Sequence, residues 1–197
     1  MSAYLRTWIG LAFAAFTLAG CSGSGPSFKN TDVTGADYGR DFALTDHTGK
    51  ARTLADFRGK AVVMFFGYTR CPDVCPTTLA ELKAVKDQLG EDGKRLQVLF
   101  VTVDPERDTQ SLLANYVPAF DPSFLGLYGD TAATARVAKD FRVFYQKSPG
   151  KAPDGYTVDH TAGSYVFDPQ GRLRLFVRHG NAANLAADVR ILLNATG

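Results

Sequence analysis

The sequence has no run of basic residues and no acidic tail: 22 Lys and Arg stand against 20 Asp and Glu, a formal charge of +2. Nothing in it therefore points to nucleic acid, which is held by concentrated positive charge. No internal repeat is visible. The apolar run near the N-terminus, Trp8 to Leu18, carries no charge but falls short of the ~20 residues a membrane-spanning helix needs. Methionine is nearly missing. After Met1 only Met64 remains, inside an apolar segment, so it reads as core and not as a metal ligand. Cysteine is limited to Cys21, Cys71 and Cys75.

Three cysteines leave one thiol over, and the N-terminus accounts for it. Arg6 supplies a short positive region, Trp8–Leu18 an apolar one, and Leu18-Ala19-Gly20-Cys21 matches a bacterial lipobox. Residues 1–20 are then a lipoprotein signal peptide, with Cys21 carrying the lipid. Losing that segment removes only Arg6 and leaves +1. The expected location is the periplasmic face of a bacterial cell membrane, with the inner membrane favoured. Residues 21–37, rich in Gly, Ser, Thr and Asp, read as a flexible tether, and 38–197 as one domain. Cys71 and Cys75 remain as a closed pair. In an oxidising space such a pair becomes a disulfide unless a metal or a reductant holds it.

Beyond the tether, Phe42-Ala43-Leu44 and Arg52-Thr53-Leu54 flank the turn signal Asp46-His47-Thr48-Gly49, which predicts a hairpin. Ala61–Phe66 and Leu96–Val103 are near-continuous apolar runs, the pattern of strands covered on both faces. Between them Leu79, Leu82, Val85 and Leu89 recur at helical spacing, with Pro76 suited to the first helical position and Gly90 to the stop. Asp108 or Thr109 can cap a helix through Tyr116, and Asp130 one through about Phe141, on either side of a strand at Phe124–Tyr128. Asp168-Pro169-Gln170-Gly171 predicts a type I turn between strands at Ser164–Phe167 and Leu173–Val177, before a last helix at Leu185–Leu193. The order is that of an α/β domain: a thioredoxin-like three-layer α/β/α mixed sheet. It adds an N-terminal β-hairpin, and a loop or hairpin insertion before the last strands.

Chemistry concentrates where the first apolar run ends. Cys71 and Cys75 are four positions apart, about one helical turn or ~6 Å along a helix axis, so both sulfurs can face one ion or bond to each other. A helix N-terminus beside Arg70 is expected to lower a thiol pKa and favour the thiolate. His160, in Tyr156–Gly163 just before the final strand pair, runs beside this turn in a thioredoxin-like arrangement. Two thiols and an imidazole make a soft three-ligand set suited to Cu(I), open to an incoming ligand. Asp159 is a candidate for orienting that imidazole, whereas Asp73 reads as a solvated cap. His47 and His179 read as structural.

Cys71-Pro72-Asp73-Val74-Cys75-Pro76 resembles the signature of the Sco/SenC family of copper-binding cytochrome c oxidase assembly factors. Val101-Thr102-Val103-Asp104-Pro105-Glu106-Arg107-Asp108-Thr109 resembles the family's second block, and Asp159-His160 its third. The resemblance runs from about Tyr38 to the end. It implies a thioredoxin fold binding one copper, Cu(I) or Cu(II), through Cys71, Cys75 and His160; a monomer is expected, held to the membrane by the lipid that the lipobox places on Cys21. The implied partner is the copper-accepting subunit of a membrane cytochrome oxidase, alongside other periplasmic copper carriers or thiol reductases. The block from Asp104 to Thr109 reads as structural, and the loop Gln146–Gly155 carries no assigned function.

The alternative is a thiol-disulfide oxidoreductase in which Cys71 and Cys75 cycle between dithiol and disulfide. Against it, three residues intervene where redox motifs have two, and His160 has no evident role in exchange. A peroxidase needs Thr or Ser three positions before its nucleophile, where this chain has Tyr68.

Overall fold

The computed structural model describes residues 27–149 and 155–195; the expected signal peptide and lipidated Cys21, and residues 150–154, lie outside them. In chain order the elements are β1 (Thr31–Asp32), β2 (Leu44–Asp46), β3 (Ala51–Arg52), β4 (Ala61–Gly67), α1 (Val74–Leu89), β5 (Leu96–Thr102), α2 (Gln110–Tyr116), β6 (Leu125–Tyr128), α3 (Thr131–Asp140), β7 (Tyr145–Pro149), β8 (Tyr156–His160), β9 (Gly163–Phe167), β10 (Leu173–Arg178) and α4 (Leu185–Asn194).

The two apolar runs form the middle of the sheet. Every residue of β4 and β5 is buried, and the strands pair in parallel from Ala61 opposite Leu96 to Gly67 opposite Thr102. Around them the order is β1-β10-β9-β4-β5-β6-β2-β3, with β6 parallel to β5 and the remaining pairs antiparallel. Strand alternation sends Phe65 to one face with Phe100, and Phe66 to the other with Phe141 and Tyr165. Each such fully buried aromatic contributes on the order of 2–3 kcal/mol by removal from water. Helix α1 buries Leu79, Leu82, Val85 and Leu89 and packs on α4, which buries Leu185, Val189 and Leu192. This is the thioredoxin-like mixed sheet between helices that the element order predicts.

The N-terminal hairpin is present as β2–β3, with Leu44 opposite Arg52. The predicted turn forms at Asp168–Gly171, where the Gly171 amide donates to the Asp168 carbonyl at 2.7 Å and Gly171 takes φ +70°. The insertion before the last strands is a separate two-stranded sheet, β7–β8, in which Tyr145 faces His160 and Pro149 faces Tyr156.

Two boundaries differ from expectation. Helix α1 begins at Val74, so Pro76 is its third residue and not its first. The opening amides of a helix have no intrahelical acceptor, so proline is tolerated there too. Of the two capping candidates for α2 it is Thr109 that serves, its hydroxyl accepting from the Leu112 amide at 3.2 Å, while Asp108 is buried. The expected tether is also shorter than residues 21–37. β1 pairs with β10, Phe28 and Val33 lie on the core, and the Lys29 and Asn30 amides donate to the buried Asp188 carboxylate. Among the described residues no helix is long and apolar enough to cross a membrane.

Candidate metal centre

Gly67 ends β4, and the chain turns through Tyr68–Asp73 into α1. Cys71 lies in that turn and is half-buried, whereas Cys75 lies in the first turn of α1 with no exposed surface. The backbone amide of Cys75 donates to Cys71 Sγ at 3.4 Å, so the first sulfur takes up one of the free amides that open the helix. Cys75 Sγ in turn sits against the end of β4: a Cβ added at Gly67 lies 2.8 Å from that sulfur and 2.8 Å from the Phe100 ring. Both cysteines are free thiols.

His160 ends β8 and reaches the same point. Its Nε2 is 3.6 Å from Cys75 Sγ, and the ligand atoms of Cys71, Cys75 and His160 all lie within 4.8 Å of one another. No other such cluster of three or more potential ligands occurs among the described residues. The imidazole stands edge-on to Phe65 and Tyr68, with ring centroids at 6.1 and 6.0 Å. Its Nδ1 is 3.1 Å from the Thr161 carbonyl, which can only accept, so the ring proton sits on Nδ1 and the Nε2 lone pair faces the sulfurs. Burial holds the His160 pKa below its ordinary value, outweighing the Thr161 carbonyl and the Asp159 charge. The imidazole is therefore neutral and ready to ligate. Two sulfurs and a neutral nitrogen, with no carboxylate among them, suit a soft cation.

The lowered thiol pKa expected from the helix start and Arg70 does not hold for Cys75. Burial pushes that thiol far above its usual value, against the Tyr68 backbone amide that favours the thiolate. Loss of its proton calls for a cation in the proton's place.

Asp159 does not orient His160. Its carboxylate is exposed and accepts from Ser148 Oγ at 2.6 Å, and Thr161 supplies the orienting group. Asp73 is exposed at the α1 N-terminus, as read from the sequence. His47 and His179 are tied elsewhere, His47 Nδ1 accepting from the Gly126 amide and His179 Nδ1 lying 3.0 Å from Thr78 Oγ1. Met64 is fully buried. The aromatic walls Phe65 and Tyr68 were not apparent as site residues. Their only signal is position, immediately before the cysteines at the mouth of an apolar strand.

A thioredoxin-like sheet whose strand-to-helix turn offers two thiols to an imidazole from an inserted hairpin defines the class: a soft-metal or thiol-exchange domain. Residues 30–194 match the SCO1/SenC family, and the chain belongs to it. It is 42% identical over 150 residues to the mitochondrial SCO2 homologue of Bos taurus, covering 75% of this chain and 56% of that protein. The human mitochondrial SCO1 homologue is 38% identical over 154 residues, covering 77% of this chain and 51% of that one. The chain thus spans about half the length of these relatives. Among solved structures, copper-bound ScoI of Bradyrhizobium japonicum is 43% identical with a TM-score of 0.71, covering 80% of this chain and 99% of that one. Apo Sco1 of Thermus thermophilus is 43% identical with a TM-score of 0.75, covering 86% and 99%.

Proposed function

We propose that this protein is a copper carrier that binds one copper ion through Cys71 Sγ, Cys75 Sγ and His160 Nε2 and supplies it to the copper-accepting subunit of a membrane cytochrome c oxidase. The observation that carries the reading is the convergence of these three atoms within 4.8 Å. Copper bound to the similar ScoI of Bradyrhizobium japonicum supports the choice of metal. Three protein ligands leave a position for the acceptor's sulfur, so exchange proceeds by gaining the new ligand before losing an old one. A lipid on Cys21 would tether the domain at the periplasmic face of the inner membrane and raise its effective concentration near the acceptor.

Titration of the purified protein with Cu(II) tests the reading. A thiolate-to-copper charge-transfer band should appear and saturate at one equivalent. His160→Ala should abolish tight binding while sparing thiol exchange, and Cys71→Ser should eliminate both. A His160→Ala variant that binds copper like the parent would end the model.

The unequal exposure of the two free thiols favours a second reading, reduction of the acceptor's copper-ligand cysteines. The more accessible Cys71 attacks the partner disulfide and forms a mixed disulfide; Cys75 then displaces the partner sulfur. The partner gains two electrons and two protons, and Cys71–Cys75 becomes a disulfide. The two readings are compatible, since thiols must be reduced before they accept metal.

A further inference from the structure

The block Asp104–Asp108 reaches both ligand-bearing segments. On one side the buried Asp108 carboxylate accepts from the Thr69 amide at 3.0 Å and the Thr69 hydroxyl at 2.6 Å, which fixes the turn that carries Cys71. It also accepts from Thr102 at 2.6 Å, so the turn is pinned to the end of β5.

On the other side Arg107 grips the hairpin that carries His160. Its guanidinium lies 3.5 Å above the Tyr156 ring, Nη1 donates to the Tyr156 carbonyl at 2.9 Å, and Nε pairs with Asp104. The Tyr156 hydroxyl closes the loop by donating to Asp104 at 2.7 Å. The same guanidinium lies 5.8 Å from the ring of Tyr68, which walls His160. Asp104 is fully buried and Arg107 nearly so, with Nη2 lacking any hydrogen-bond partner among the described residues. Two tyrosine rings flank this cation.

The hairpin is a sheet of its own, paired only within itself, and a lone two-stranded hairpin is marginally stable in water. Something outside it must fix where β8 lies. We propose that Arg107 is a positioning residue: it straps β8 down through Tyr156 and so fixes His160 Nε2 opposite the two sulfurs, while Asp108 holds the turn that carries Cys71. This deepens the copper-carrier reading and rests on it for the consequence at the metal, though not for the strap itself.

The test compares Arg107→Lys and Tyr156→Leu with Gln146→Ala in the full chain. Lysine keeps the charge facing Asp104 but cannot lie flat on a ring while donating in two directions. Tyr156→Leu removes the ring and hydroxyl at a partly exposed position and leaves the Asp104–Arg107 pair intact. Gln146 also lies on the hairpin, exposed opposite Asp159 and with no side-chain hydrogen bond among the described residues, and serves as the control. In metal-free protein, amide hydrogen exchange across residues 156–160 should accelerate in the first two variants and stay at the parent rate in the control. Cu(II) affinity should fall about tenfold to a hundredfold, the size of loss typical of removing a group that orients a ligand. The copper electron paramagnetic resonance spectrum should shift with it.

Parent-like exchange, affinity and spectrum in both Arg107→Lys and Tyr156→Leu would overturn the proposal. So would equal loosening by Gln146→Ala. Should Arg107→Lys fail to fold, Tyr156→Leu decides alone. A parent that binds no copper would sink the functional reading, and the strap would then stand or fall on hydrogen exchange in the metal-free protein.

Discussion

The sulfur of Cys75 is seated against the backbone of Gly67, where a single added methyl would stand 2.8 Å from it. That contact joins the last residue of the central strand to the deepest ligand. The Phe100 ring closes the same space at 2.8 Å, so neither neighbour has room to yield. Gly67→Ala should lower stability by about 1–3 kcal/mol, as overpacking does. It should also weaken Cu(II) binding, since the displaced sulfur is a ligand. Thermal unfolding and a copper titration on one preparation check both, and unchanged copper affinity would refute the link.

Asp159 offers the opposite expectation. Because its carboxylate accepts from Ser148 and does not reach the imidazole, Asp159→Ala should leave the copper spectrum unaltered. Affinity should change less than twofold at 0.15 M salt, where exposed charges are largely screened.

Acid acts on the site through His160. Burial keeps its pKa below the ordinary value of a histidine, so the folded state binds fewer protons than the unfolded chain across the interval between the two. Stability from this residue is complete above the ordinary histidine pKa and is lost as pH falls through the lowered folded one. Protons also compete with metal for both thiols and the imidazole. Copper affinity should therefore decline steadily on acidification. Following the His160 ring proton by NMR should give a midpoint below the ordinary histidine value in metal-free protein.

Asp46 governs acid stability far from the metal. Burial opposes its ionisation, but hydrogen bonds from Thr48 and Arg52 and the Lys50 amide outweigh it and hold the pKa at about 2. The stabilisation is present above the usual carboxylate pKa and disappears as pH falls toward 2. Asp46→Asn should cost about 2 kcal/mol at neutral pH and flatten the acid limb of the unfolding profile. Urea unfolding at pH 7 and pH 3 measures both.

The strands and helices were legible because their patterns are local. Ala61–Phe66 is apolar without interruption and Leu96–Val103 nearly so, and both are buried along their whole length. Cys71, Cys75 and His160 were legible as a set through three ordered motifs. What the sequence concealed depends on distant partners. Polar composition made residues 28–36 look like spacer, yet Lys29 and Asn30 are fixed by Asp188, 159 and 158 positions away. The Cys75 pKa went against expectation because burial, which no local motif displays, outweighs the helix start. Asp159 sits next to His160 in the chain, but alternation along β8 turns it to solvent.

The unequal exposure of the three ligands gives the site a direction. Cys75 is sealed at the bottom, while Cys71 and the ring-walled His160 each keep part of their surface in solvent. A thiol arriving from solvent therefore meets Cys71 and His160 before it can reach Cys75.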